Sequence, residues 1–199
     1  MDKSNSHFMI QIITEETFRE HNGLDLTSLD DRTTVPPSEL PRFRVAKRSR
    51  FLNFKFLVSR TLGYQPNKIR LWPLRERAEF ALRPHSPVPE DDRALKMQTV
   101  YDRMTHKGPY IVFYLEVVGL AHEVQVVPTS EDKPRQMIFL KYFDPSTQKL
   151  AGIGHFYLPP MGMNTSSVLI TLIKARMGFS DGTGVKLYEV CPLGSIEFS

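Results

Sequence analysis

Few residues in this chain have types that could do chemistry, and none has a partner at a catalytic spacing. The single cysteine, Cys191, precedes a proline and lacks a nucleophile signature, and it cannot form an internal disulfide or a Cys-rich zinc site. The histidines show no His-x-x-x-His pair and no glutamate at metal-ligand spacing. They are His7, His21, His85, His106, His122 and His155. We expect no catalytic residue, no metal site and no cofactor, and we interpret His155, which follows a strand alternation, as a core or surface histidine.

Glycine spacing gives no phosphate site either. The glycines of residues 178–184 are not followed by Lys-Ser or Lys-Thr, so turn formation explains them better than a phosphate-binding loop.

Hydrophobic residues are 41% of the 199 residues, which is enough apolar material for a packed core. The longest apolar runs, 111–115 and 168–173, are far shorter than the ~20 residues of a membrane span. The amino terminus lacks an apolar run after its basic residue, so we expect no secretory signal and a nuclear or cytoplasmic location.

Charge is more informative by position than by its total of +4. Residues 15–39 contain seven acidic residues and two arginines, whereas residues 42–83 contain twelve Lys or Arg and two glutamates. The basic stretch would attract an acidic partner or nucleic acid, but we favour the simpler interpretation that it is a solvated basic face.

Proline clusters divide the chain, because proline fixes φ and removes a backbone donor. The cluster around Pro128 and Pro134 follows one strand-like run, 110–118, and precedes another, 136–143. We therefore predict a first domain over 1–118, a linker over 119–135 and a second domain over 136–199. Other prolines end an acidic loop (Pro36, Pro37, Pro41) or lie in a polar insertion (Pro84, Pro87, Pro89).

The same order of elements recurs on both sides of that linker. Strands are predicted at 7–13 and 42–45, followed by a helix with Ser49 as N-cap and Gly63 as stop, and by a strand at 68–72. In the second half strands are predicted at 137–143 and 154–158, then a helix from Thr165 or Ser166 to Gly178, then a strand at 185–190. The segments 59–64 and 174–179 align at the helix ends. Two strands, a helix, a Gly turn and further strands are the β-grasp order.

Particular segments resemble a known family. Residues 62–72 resemble the helix exit and following strand of ubiquitin, and 111–118 resemble its final strand. Together with 138–145, 154–157, 177–179 and 187–190, they resemble, in order, the tandem ubiquitin-like domains of herpesvirus-associated ubiquitin-specific proteases. The resemblance implies an α+β fold of two ubiquitin-like domains from a cysteine deubiquitinase, with the second domain truncated before its last strand. It also implies a less stable second domain.

The resemblance further implies two kinds of interaction. In that family an acidic patch of the second domain binds lysine-containing motifs of substrates and regulators; Glu189 matches one patch position, and Asp181 is a nearby loop candidate. The parent catalytic domain is a second expected partner. A separate basic docking face is predicted from Arg42, Arg44, Lys47, Arg48, Lys68 and Arg70.

The sequence is compatible with three functions. The leading one is a non-catalytic recruiting module of a deubiquitinase, and the second is a nucleic-acid-binding module that uses residues 42–83. The second is disfavoured because no RNA-binding aromatic signature interleaves with the basic residues. An enzyme with an unrecognised site comes third. Trp72 is either a partner anchor or, as we favour, a residue packed at a strand end against the helix.

Overall fold

The computed structural model describes residues 6–28, 39–76, 82–104, 110–119, 136–158, 165–191 and 194–198. The strands are β1 (His7–Ile13), β2 (Arg42–Ala46), β3 (Ile69–Glu76), β4 (Leu82–Pro84), β5 (Ile111–Val117), β6 (Met137–Asp144), β7 (Lys149–Tyr157), β8 (Leu187–Cys191) and β9 (Gly194–Phe198). The helices are α1 (Glu15–Glu20), α2 (Phe51–Leu62), α3 (Met97–Met104) and α4 (Thr165–Met177). None of the helices in these ranges is long and apolar enough to cross a membrane.

The first half forms one five-stranded mixed sheet in the order β2-β1-β5-β3-β4. Strand β1 is antiparallel to β2 and parallel to β5, and β5 is antiparallel to β3. Helix α2 packs across one face of this sheet, where its buried side chains join those of β1, β2, β3 and β5 in one apolar cluster. The fold class is α+β with a ubiquitin-like β-grasp, which confirms the expected class.

Helix α2 follows from its apolar spacing. Phe51, Phe54 and Val58 are buried against the sheet, as their separations of three and four residues predict. Gly63 ends the helix in the left-handed conformation with φ of 76°, which confirms the predicted stop. The predicted Ser49 cap is wrong. The N-cap is Arg50, without a side-chain cap, and the Phe51 N–H instead donates to the Leu95 carbonyl at 2.8 Å. A backbone partner from a distant loop thus replaces the local cap.

The polar insertion with its three prolines is built into the first core rather than left as a loop. It contains β4 and α3, and Val88 is buried, with its N–H bonded to the Leu71 carbonyl at 3.0 Å. Lys55, which is buried on α2, donates to both carboxylate oxygens of Glu90 at 2.5 and 2.6 Å. These long-range contacts carry no local sequence signal.

The predicted acidic loop begins with a helix, α1, that sequence patterning missed. Thr14 caps it: the Thr14 hydroxyl accepts from the Thr17 N–H, and the Thr17 hydroxyl accepts from the Thr14 N–H. Phe18 of α1 is fully buried in a second apolar cluster, on the sheet face away from α2, together with Trp72, Tyr114 and Met137. The sheet is therefore covered on both faces.

The second half contains the predicted elements with one addition. Strands β6 and β7 form an antiparallel hairpin with a bulge between Leu140 and Lys141, and β7 begins at Lys149, earlier than predicted. Helix α4 begins at Thr165, and Gly178 follows it with φ of 67°. Strand β9, which we did not predict, pairs with β8.

Within the described ranges, β6–β7 and β8–β9 are separate two-stranded sheets. The expected truncation of the second domain and its lower stability stay predictions. The domain boundaries also stay a prediction, because residues 120–135 of the linker lie outside the described part of the chain.

Candidate interaction surfaces and the junction between the halves

A buried carboxylate on β5 connects the two halves. Glu116 is only 2% exposed, yet its Oε2 accepts the indole N–H of Trp72 at 2.7 Å and its Oε1 accepts the hydroxyl of Tyr157 at 2.6 Å. The half-exposed Arg70 guanidinium lies 3.9 Å from Oε1. Burial and the bond to Glu116 raise the pKa of Tyr157, so this phenol stays a donor. The arrangement holds β3, β5 and β7 together.

A second polar group lies at the same junction, around His155 of β7. His155 Nδ1 is 2.8 Å from the Tyr114 hydroxyl and 3.5 Å from Glu15 Oε2. Glu15 also accepts from Arg176 of α4 at 3.0 Å, and it pairs with Arg19 within α1. Burial raises the pKa of Glu15, but the bonds from His155 and Arg19 outweigh it and hold the pKa below 4.5. His155 is thus a core histidine, one of the two outcomes expected.

Helix α1 contacts the β6–β7 hairpin closely. Lys141 of β6 donates to the carbonyls of His21 and Gly23 at 2.8 and 2.5 Å, and its ammonium lies 4.9 Å from the centre of the Phe18 ring. Burial lowers the pKa of Lys141 to about 8. The Phe139 ring packs edge-on against Phe18 at 5.1 Å. The junction is therefore both aromatic and hydrogen-bonded.

The prediction that Trp72 packs against helix α2 is wrong, because Trp72 lies at this junction. Its alternation along β3 points it away from α2, to the face that contacts the second half, where its ring is 6.3 Å from that of Tyr157. At 4% exposure it is also no free anchor for a partner.

The acidic candidates lie in the second half. Glu189 occupies β8, opposite Ile196 of β9. Asp181 is exposed in the turn after α4, and its backbone carbonyl accepts from the Lys174 ammonium. Their role in binding a partner stays a prediction.

The basic candidates do not form one continuous patch. Arg42 and Arg44 are exposed on β2 at one edge of the sheet, whereas Arg70 is on β3, with β1 and β5 between them. Three strand spacings of ~4.8 Å separate β2 from β3, about 14 Å. The two groups are also offset along the strands, since Arg42 is level with Val112 and Arg70 with Glu116.

The remaining basic candidates divide between the same two places. Lys47 and Arg48 follow β2, and the Lys47 ammonium lies 5.1 Å from the centre of the Phe8 ring. Lys68 precedes β3 and is exposed. A cluster of Arg42, Arg44, Lys47 and Arg48 therefore lies at the β2 edge, and Lys68 with Arg70 at the far side.

Sequence reasoning missed the residues that form the junction. Glu15, Glu116 and Lys141 are charged residues inside or beside apolar runs, and this was the one available signal. Among the described residues, no group of three or more His, Cys, Asp or Glu side chains converges as a metal site would require.

A family model described as the ICP0-binding domain of ubiquitin-specific protease 7 matches residues 69–199, about two thirds of the chain. The chain belongs to this family. The matched part runs from β3 to β9 and includes Glu116, Lys141, His155 and Tyr157 of the junction.

Curated relatives extend the similarity over nearly the whole chain. Ubiquitin carboxyl-terminal hydrolase 5 of Schizosaccharomyces pombe is 26% identical over 198 residues, which are 98% of this chain and 17% of that protein. Ubiquitin carboxyl-terminal hydrolase 7 of Drosophila melanogaster is 22% identical over 191 residues, 94% of this chain and 15% of that protein. The chain thus spans about a sixth of the length of these relatives.

Proposed function

We propose that this chain is a non-catalytic module of a cysteine deubiquitinase, made of two ubiquitin-like domains, which recruits protein substrates and regulators and supports the catalytic domain. The family match over residues 69–199 carries the proposal. The relatives are named ubiquitin carboxyl-terminal hydrolases, which supports deubiquitinase activity in the longer protein to which this chain would belong. The chain aligns with only about a sixth of the length of each relative. A nuclear or cytoplasmic location belongs to the same proposal.

The β-grasp fold of the first half supports the domain type. In the second half the order hairpin, helix, strand follows the order of the first, and Gly178 ends α4 in the same left-handed conformation in which Gly63 ends α2. The family's description names a binding domain, which supports a role in protein–protein interaction.

Within the proposed role, Glu189 and Asp181 would bind lysine-containing motifs through ammonium–carboxylate contacts. A lysine-rich peptide is titrated into the chain at two salt concentrations. Glu189→Lys and Asp181→Lys are expected to weaken binding, and Asp91→Lys, an exposed site in the first half, serves as the charge-matched control. Equal loss in all three variants would show that only net charge matters and would reject these two residues.

The supporting role is tested separately, with hydrolysis of a ubiquitin–fluorophore conjugate by the cognate catalytic domain. Addition of the chain is expected to raise the rate. An unchanged rate together with no peptide binding would reject the proposed function, whereas peptide binding alone would leave recruitment as the role.

A further inference from the structure

Strand β2 is the edge of the five-stranded sheet, and its outer side faces away from β1. The Lys47 N–H donates to the Ser6 carbonyl and the Ile12 N–H to the Pro41 carbonyl, each at 3.0 Å. In this antiparallel register Phe43 and Val45 exchange hydrogen bonds with β1, so the backbone groups of Arg42 and Arg44 point outward. Within the described ranges no other strand pairs with this side of β2.

A surface groove runs beside this edge, between β2 and α2. It is lined by Arg44, Val45, Ala46, Ser49, Asn53, Phe54 and Leu57. Leu57 is 45% exposed on the helix side, although leucine is usually buried. An extended segment added to β2 would place alternate side chains on the helix face of the sheet, against this groove.

The charge around the groove is positive. Arg42, Arg44, Arg48 and Arg50 are exposed on β2 and in the turn that follows it. Among residues 42–54 no side chain is acidic. An occupant with acidic residues on either side of an apolar run would therefore match both the groove and its surroundings.

We propose that the outer edge of β2 and the groove beside α2 bind an extended peptide of a partner protein as an added strand, with a short β-branched run against Leu57 and flanking Asp or Glu residues near the arginines. Backbone hydrogen bonds to Arg42 and Arg44 supply affinity, and the groove and arginines supply specificity. This surface lies in the first half and selects charge opposite to that of the lysine motifs proposed for Glu189 and Asp181.

The first test uses the 199-residue chain, isotope-labelled for NMR, and the synthetic peptide Asp-Asp-Val-Ile-Val-Ile-Asp-Asp. Saturating peptide is expected to slow hydrogen exchange of the Arg44 N–H at least about fivefold, because one net hydrogen bond is worth about 1 kcal/mol. The same peptide with proline in place of its second valine loses a backbone donor and is expected to bind more weakly.

Variants separate the backbone contribution from that of charge. Arg44→Gln removes the charge and keeps the N–H, so a modest loss of affinity that shrinks at high salt is expected. Arg44→Pro removes the outward N–H as well, a change that edge strands tolerate, and about fivefold further loss is expected.

The groove is tested on the helix side, where the side chains of Leu57 and Phe56 are 45% and 58% exposed. Leu57→Asp is expected to reduce affinity at least about tenfold, and Phe56→Asp, 58% exposed in the wild type and outside the groove, adds the same charge as a matched control. Binding without protection of the Arg44 N–H, or equal losses in the two aspartate variants, would overturn the proposal. Absence of binding would overturn it too. None of these three results bears on the deubiquitinase assay.

Discussion

The Tyr157 hydroxyl donates to Glu116 Oε1 at 2.6 Å, across the boundary between the two halves of the chain. The other oxygen of the same carboxylate accepts the Trp72 indole N–H at 2.7 Å, so one side chain of β5 is bonded to both β3 and β7. Since Glu116 is buried, water cannot easily replace a lost donor. The halves are thus joined by specific side-chain contacts as well as by the chain.

Replacement of Tyr157 by phenylalanine tests this joint. Tyr157→Phe leaves a buried carboxylate oxygen with one donor fewer, so the free energy of unfolding is expected to fall by about 1–3 kcal/mol. Urea denaturation followed by fluorescence measures the change. Tyr188→Phe removes a hydroxyl from a side chain that is 51% exposed, and it is expected to leave stability nearly unchanged. Equal effects of the two variants would contradict the importance of the Glu116 contact.

Close packing of α1 on β7 gives a second prediction, at Gly152. A Cβ at this position would lie 2.7 Å from the Phe18 carbonyl oxygen and 2.9 Å from the Arg19 Cα, and backbone atoms cannot yield as a flexible side chain would. Gly152→Ala is therefore expected to cost about 1–3 kcal/mol of stability.

Gly182 provides the matched control for that substitution. A Cβ at Gly182 would meet nothing within 4 Å, so Gly182→Ala is expected to change stability by less than about 0.5 kcal/mol. Thermal denaturation of both variants checks the pair. A Gly152→Ala protein as stable as the wild type would show that α1 and β7 are not held in this contact.

The first-half elements that the sequence predicted correctly are those with a local signal. The spacing of Phe51, Phe54 and Val58 and the glycine after the helix suffice for α2. The missed features depend on distant partners. Alternation along β3 places Trp72 on the face away from α2, but that face is buried because the second half covers it, and the start of α2 is satisfied by the Leu95 carbonyl rather than by Ser49. Long-range packing of this kind overrides local propensity and leaves no periodicity in the sequence.

The ion pair between Lys55 and Glu90 gives a third prediction. The side chain of Lys55 is 5% exposed and that of Glu90 is 38% exposed. Water can therefore solvate the carboxylate if the pair is broken, but it cannot solvate the buried ammonium. Glu90→Gln is expected to lower the free energy of unfolding by about 1–3 kcal/mol, because it leaves a buried charge without its counter-ion.

Two further variants distinguish that cause from a general effect of charge. Lys55→Met removes the buried charge itself and is expected to be less harmful than Glu90→Gln. Asp91→Asn changes the charge of the exposed neighbouring residue and is expected to have little effect. Urea denaturation ranks the three proteins. If Glu90→Gln and Asp91→Asn were equally stable, the pair would not anchor the insertion to α2.

Lys141 gives the fourth prediction, which concerns pH. Burial lowers the pKa of Lys141 from 10.5 to about 8 in the folded protein, although the nearby Asp25 carboxylate acts in the opposite direction. At pH values between these two pKa values, Lys141 is still protonated in the unfolded chain but has lost its proton in the folded protein. The unfolded state then binds more protons, so the free energy of unfolding rises with pH above about 8.

The rise is measured by urea denaturation at several pH values between about 8 and 10, below the range in which tyrosines with a raised pKa oppose it. Lys141→Met removes the titrating group, so its stability is expected to lack this contribution, and it also loses the bonds to the His21 and Gly23 carbonyls at every pH. Lys149→Met, at an exposed position of β7, is expected to keep the rise. The opposite outcome is a free energy of unfolding that rises with pH equally in the wild type and in Lys141→Met. That result would contradict the burial of the Lys141 ammonium and the close contact of β6 with α1.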